Sequence, residues 1–313
     1  MTWHVLQSSL ALAIVTGTPL VFAGLGGLLA ERSGVLNVGI EGVMLVGAVF
    51  GFVTAHNTGS LWAGLLAGCA AGGLFSVVFF GLPALKNRAP QLLIGFALWF
   101  IGAGLSAQIG NPYTETSLSF RARPTPLPLL HDIPYVGPIL FDQHWVVYLG
   151  VFLALAAAFM LGRTRHGLNL RAVGEDPQAS YAAGLNVIRW RLAYVAIGGV
   201  LQGLGGAVLS VVIVQAWRSE MTAGTGFVAL ALVTVAGWSP VRLLLTSYAF
   251  GVLLVLGSVG QAQEWPISSE FLRMVPYVLT VVVLVVRIWR ERSRPGATRA
   301  PAGLGQTYAP GQR

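Results

Sequence analysis

Between Leu6 and Ala30 the chain carries no charged side chain, and similar apolar runs recur almost to its end. They cover about Val35 to His56, Leu61 to Leu82, Gln91 to Ile109, about Trp145 to Leu161, Leu192 to Gln215, Val241 to Gly260 and Met274 to Ile288. A helix needs about 20 apolar residues to cross the hydrocarbon core. In lipid every backbone N–H and C=O must be satisfied within the protein, so uninterrupted runs of this length fold as helices. The fold class expected is therefore all-α, a polytopic transmembrane helical bundle of about nine spans within a range of eight to ten. Gly226 to Gly237 is too short to cross squarely and reads as a tilted span, a broken helix or a re-entrant segment. The length of the first run and its missing basic leader argue against a cleaved signal peptide.

Composition excludes the main rivals. Of 313 residues 55% are hydrophobic and only 10% charged, with a mean hydropathy of +0.72, against about 25% charged residues in soluble domains. Residues 1–292 are expected to form a single membrane domain, with no room for a soluble catalytic unit, and 293–313 a basic, disordered tail. The net charge of +8 falls between and after the apolar runs, so it reports on membrane topology and not on nucleic acid. Lys86 is the only lysine and no phosphate-binding glycine loop surrounds it, which excludes an ATPase of the P-loop kind in this chain. Cys69 is the only cysteine, and the five histidines lack metal-ligand spacing.

The most polar stretch between spans is Gly162 to Arg191, which holds Arg163, Arg165, Arg171, Arg189 and Arg191. Placing it in the cytoplasm, with Gly226 to Gly237 crossing, puts all but four of the 19 basic residues inside; Arg121, Arg123, Arg218 and Arg273 remain outside. That bias predicts an external N-terminus and a cytoplasmic C-terminus. Within the stretch, Asp176 followed by Pro177 reads as an N-cap with proline at the first helical position, and Gly184 lies where a helix of about two turns would stop. A short helix outside the bilayer is what a pore-forming subunit needs to dock on an engine made by another chain. The plainer reading is a basic connector with Pro177 and Gly184 as turn punctuation.

Inside the membrane, Asn37 and Glu41 are four residues apart and so share a helix face if the helix covers both. A carboxylate at the bilayer centre costs about 2.5–3.5 kcal/mol, so Glu41 should face a partner or a water-filled path. Both readings stand: a group lining the path, or one tying helices together. Trp99, far from any span end, reads either as core or as a platform for a planar ligand. Gly64, Gly68 and Gly72, and again Gly199 and Gly203, repeat every four residues and predict close helix packing. Gly27 to Gly51 and Gly226 to Gly251 weakly echo each other, as in a pseudo-repeat of two halves.

LNLRAVGEDPQASYAAGLNV, Leu168 to Val187, resembles the coupling-loop segment of permease subunits of ABC importers related to the ribose and branched-chain amino acid permeases. ERSGVLNVGIEG, Glu31 to Gly42, resembles the signature of the nucleoside branch, which is served by binding lipoproteins of the basic membrane protein family. Gly224 to Gly237 is similar to that branch's glycine-phenylalanine segment. At APQLLIGFALW, Ala89 to Trp99, the likeness departs, since the branch more often has Asn before Gln91 and Asn in place of Trp99.

The resemblance implies a permease subunit, not an enzyme, that passes a small polar solute, nucleoside or purine-like, into the cytoplasm of a prokaryote. It implies ATPase partners that bind ATP and Mg²⁺, a second permease subunit that need not be identical, and an external substrate-binding lipoprotein, with no cofactor on this chain. The substrate path would involve Asn37, Glu41, Gln91, Trp99 and Phe227. Coupling to the ATPase would involve Arg171, Gly174, Glu175, Asp176, Pro177, Ala179, Ala183 and Gly184. The alternatives are a sugar permease of the ribose type and a self-contained ion-coupled transporter using Glu41.

Overall fold

The computed structural model describes residues 3–125, 133, 137–263, 268–293 and 300–308. Among these described residues twelve α-helices follow in order: α1 (Trp3–Arg32), α2 (Ile40–Thr58), α3 (Leu61–Ser76), α4 (Gln91–Gly110), α5 (Gly137–Leu140), α6 (Trp145–Arg163), α7 (Arg165–Glu175), α8 (Pro177–Ala182), α9 (Val187–Ala207), α10 (Thr225–Ala236), α11 (Pro240–Ala262) and α12 (Ser269–Ser293). π-helical turns prolong α3 through Val77–Lys86 and α9 through Val208–Val214. The first of these accommodates Pro83, which cannot donate in a regular ladder.

Seven helices among the described residues are long and apolar enough to cross a membrane: Leu6–Arg32, Ile40–Thr58, Leu61–Lys86, Gln91–Tyr113, Trp145–Arg163, Val187–Val214 and Pro240–Gln261. Thr225–Ala236 and Tyr277–Val286 are shorter apolar helices. The protein is a multi-pass membrane protein, and the two shorter helices account for the difference between seven and the expected nine.

Helices α1 and α9 sit at the centre, where α9 packs on α1, α2 and α3, and α1 also packs on α10 and α11. Small residues set these distances. A Cβ on Gly72 would lie 2.5 Å from the Gly199 carbonyl oxygen, and one on Gly68 would lie 2.5 Å from the Ala207 Cβ. A Cβ on Gly203 would overlap the Gly68 carbonyl. The glycine spacing seen in the sequence thus brings α3 and α9 into backbone contact, which in lipid replaces the missing hydrophobic drive between helices. Leu66, Leu93, Phe100, Phe159 and Val281 point outward, as lipid-facing or partner-facing positions should.

On one side of the bundle, residues 115–118 of the loop after α4 pair with 215–217 through Glu115 N–H to the Trp217 carbonyl, Trp217 N–H to Thr116 and Leu118 N–H to Gln215. Residues 115–118 are thereby held against the end of the α9 extension.

Candidate functional site

The break between α1 and α2 and the short helix α10 build the inner site together. The sequence places Asn37 and Glu41 on one helix, but α2 begins only at Ile40. Asn37 lies outside it, because its side-chain oxygen accepts from Gly39 N–H at 2.9 Å and closes a local turn in place of a helical one. Glu41, in the first turn of α2, is buried. Its Oε1 accepts from the Thr222 hydroxyl at 2.6 Å and from Gly224 N–H at 2.8 Å, and its Oε2 from Gly226 N–H at 2.6 Å. The two N–H donors, Gly224 and Gly226, are free groups at the start of α10, where a carboxylate is most favourable, and the Thr222 hydroxyl just before it adds a third bond. Gly226 is required there, since a Cβ would lie 2.5 Å from the Glu41 backbone.

Phe227 follows directly and meets Trp99 edge to face, with ring centroids 5.1 Å apart. Trp99 also lies 4.6 Å from the ring of Phe100, which is exposed. Glu41, Phe227 and Trp99 are thus one neighbourhood at the edge of the subunit. Gln91 stands apart from it. Its Oε1 accepts from Leu36 N–H at 2.8 Å and its Nε2 donates to the Gln306 carbonyl, so it fastens two backbone segments.

The far end of α10 is fastened as well. Trp238 adopts a left-handed backbone, φ +53°, a strain of about 1–3 kcal/mol for such a residue. Its indole N–H donates to the buried Glu31 carboxylate, and its carbonyl accepts from Arg32 Nε at 3.2 Å and Nη2 at 2.8 Å. The two stretches that echo each other in sequence are in contact here and at Glu41.

The polar stretch after α6 holds two helices where the sequence predicts one. Thr164 caps α7 by accepting from Gly167 N–H at 3.0 Å. Asp176 ends α7 and caps α8, its carboxylate accepting from Ala179 N–H at 2.9 Å, with Pro177 at the first helical position. Gly184, φ +88°, terminates the turn after Ala183. Ala179, Tyr181, Ala182 and Ala183 are exposed, and Ser180 alone on α8 is buried. Gly174 lies against the end of α1, where a Cβ would overlap the Arg32 carbonyl. Arg171 is half-buried, and its Nε has no hydrogen-bond partner.

Residues 9–284 match the family described as the branched-chain amino acid transport system / permease component. The chain belongs to this family. Among its relatives, the nucleoside ABC transporter permease protein NupC of Lactococcus lactis is 35% identical over 97% of this chain and 98% of its own length. The guanosine ABC transporter permease protein NupQ of Bacillus subtilis is 33% identical over 96% of each. The putative glucose ABC transporter permease protein TsgC13 of Haloferax volcanii is 34% identical over 94% and 95%. The chain is a permease, a transport component and not an enzyme.

Two features of this permease escape the sequence reading. Arg191, counted there as a loop cation, is buried. Its Nε donates to the Ser33 carbonyl at 3.1 Å, Nη1 to Gln306 at 3.0 Å and Nη2 to Gly303 at 3.4 Å. Of the tail 293–313, expected to be disordered, residues 300–308 pack on the bundle, while 294–299 and 309–313 lie outside the described residues. Gly303 N–H donates to the Gly174 carbonyl at 2.9 Å, Gly305 N–H to Gly34 at 3.1 Å and Ala302 N–H to the Glu175 carboxylate at 3.1 Å. Tyr308 is buried with Val173 and Val187. Burial first, then the neighbouring Tyr181, push the Tyr308 phenol above its usual pKa while Arg191 draws it down.

At the end of α4, a cavity of about 270 Å³ is lined by Gly104, Ala107, Gln108, Asn111, Thr114 and Trp217. None of these residues carries a motif; the pairing of 115–118 with 215–217 and the side-chain-free Gly110 bring Trp217 over the end of α4.

Proposed function

We propose that this permease is the membrane subunit of an ATP-driven importer of nucleosides, placed in a prokaryotic cytoplasmic (inner) membrane with its N-terminus outside and its C-terminus inside. It works beside a second, non-identical permease subunit, two ATPase subunits that bind ATP and Mg²⁺, and an external substrate-binding lipoprotein; this chain binds no cofactor. The observation that carries the reading is α8, a capped helix whose alanine-rich face stands clear of the bundle. A partner's cleft can accept such a face closely, with Tyr181 the one large hydrophobic side chain exposed on it.

ATP-driven closure of the ATPases pushes on α8. The push passes through Gly174 to the end of α1, then through Glu31, Arg32 and Trp238 to α10, and so to Glu41, Phe227 and Trp99. The nucleoside assignment draws on the relatives named for nucleosides and guanosine. The half-buried Trp99–Phe227 pair also suits a planar base. The Haloferax relative, named for glucose, favours a sugar as the second reading.

The experiment is uptake by the assembled transporter in proteoliposomes. Ala179→Arg, which places a charge in the docking cleft, should cut uptake by about tenfold or more while ATP hydrolysis continues. Unchanged uptake would overturn the docking role, and uphill uptake by this chain alone would favour an ion-coupled carrier. Unlabelled guanosine should compete with the labelled solute; competition by glucose and not by guanosine would favour the sugar reading.

A further inference from the structure

α8 is poorly rooted in the membrane domain. Ser180 is its one buried residue, and the helix lies between α7 and α9 with Tyr181 facing the segment that follows α12. That segment touches four separate parts of the bundle within eight residues. Ala302 and Gly303 bond to Glu175 and Gly174 at the α7–α8 junction, Gly305 to Gly34 in the α1–α2 break, and the Gln306 carbonyl accepts from Gln91 at the start of α4. The Tyr308 ring lies 6.4 Å from that of Tyr181 on α8. Arg191 is the hub. Two of the three carbonyls that its buried guanidinium holds are Gly303 and Gln306, and the third is Ser33.

A helix pushed by a partner moves the membrane helices only if it does not swing about its own ends. We propose that Pro301–Tyr308, gripped by Arg191, is a positioning brace for the transport cycle, tying α8 to the α1–α2 break and to α4 so that force on α8 reaches the solute path. The segment does not touch solute; it acts through α8, and the inference rests on the reading of α8 as the docking element.

The test is the number of solute molecules moved per ATP hydrolysed by the complete transporter in proteoliposomes. Two variants release the brace by different means. One ends the chain at Ala300. The other, Gly303→Leu, keeps the segment but drives a side chain against the Gly174 carbonyl, which a Cβ alone would meet at 2.7 Å, and against Pro177. Both should keep the ATPases bound and hydrolysing, and both should lower solute per ATP by about fivefold or more. A purely structural role would lower yield and leave that ratio alone.

Ala179→Arg is measured alongside. If it uncouples and Gly303→Leu has a normal ratio, the brace is overturned and the docking reading stands. If Ala179→Arg has no effect, the docking reading fails and the brace with it. Should the shortened chain not assemble, the Gly303→Leu ratio decides; failure of both to assemble makes the segment a folding element and overturns the inference.

Discussion

Glu41 has both carboxylate oxygens engaged by donors at the start of another helix, more than 180 residues along the chain. Such a group is a joint before it is a path-lining charge. Glu41→Gln replaces one acceptor oxygen by an NH₂ group, so at least one N–H of Gly224 or Gly226 would face a donor. Leaving a buried donor unmatched costs about 1–3 kcal/mol. The purified variant should therefore unfold at a lower temperature than the parent, as followed by thermal shift in detergent, as well as transport more slowly. A parental midpoint combined with slowed transport would return Glu41 to the path. Arg191 makes the same point with the opposite sign, since its charge is held by main-chain carbonyls alone among the bonds described. Neither partnership is legible in sequence, because a backbone N–H or C=O carries no signature of residue type.

At the scale of elements, what the sequence states well is periodicity and punctuation. Seven spans, the glycine contact of α3 with α9, and α8 between Asp176 and Gly184 all follow from patterns within a few turns of chain. The start of α2 does not, because VLNVGI reads as continuous apolar helix, whereas the Asn37 turn onto Gly39 and the Gln91 bond to Leu36 N–H break it. The order of residues 300–308 is not legible for a related reason: their glycine and proline content matches a solvated tail, and their order comes from contacts with residues far back in the chain. The glycine packing makes a paired prediction. Gly203→Ala meets the Gly68 carbonyl, whereas a Cβ at Gly104 meets nothing within 4 Å. Gly203→Ala should lose about 1–3 kcal/mol and give little monodisperse protein on size-exclusion chromatography, with Gly104→Ala matching the parent. Equal yields would mean that α3 and α9 part easily.

For the whole molecule, the topology puts Thr114 and Ala183 on opposite sides, with α6 as the span between them. With Cys69 replaced by Ala, Thr114→Cys should react with a membrane-impermeant maleimide in intact cells and Ala183→Cys only in inverted vesicles; labelling of both from one side would refute that arrangement. α10 is tethered at its first turn to α2 through Glu41 and at its last to α1 through Trp238. Short and pinned at both tips, it has no slack in which a small displacement could be lost. It behaves as a stiff crosspiece, so the helices on either side of it must shift as one frame, and a lesion at either pin introduces backlash at the other.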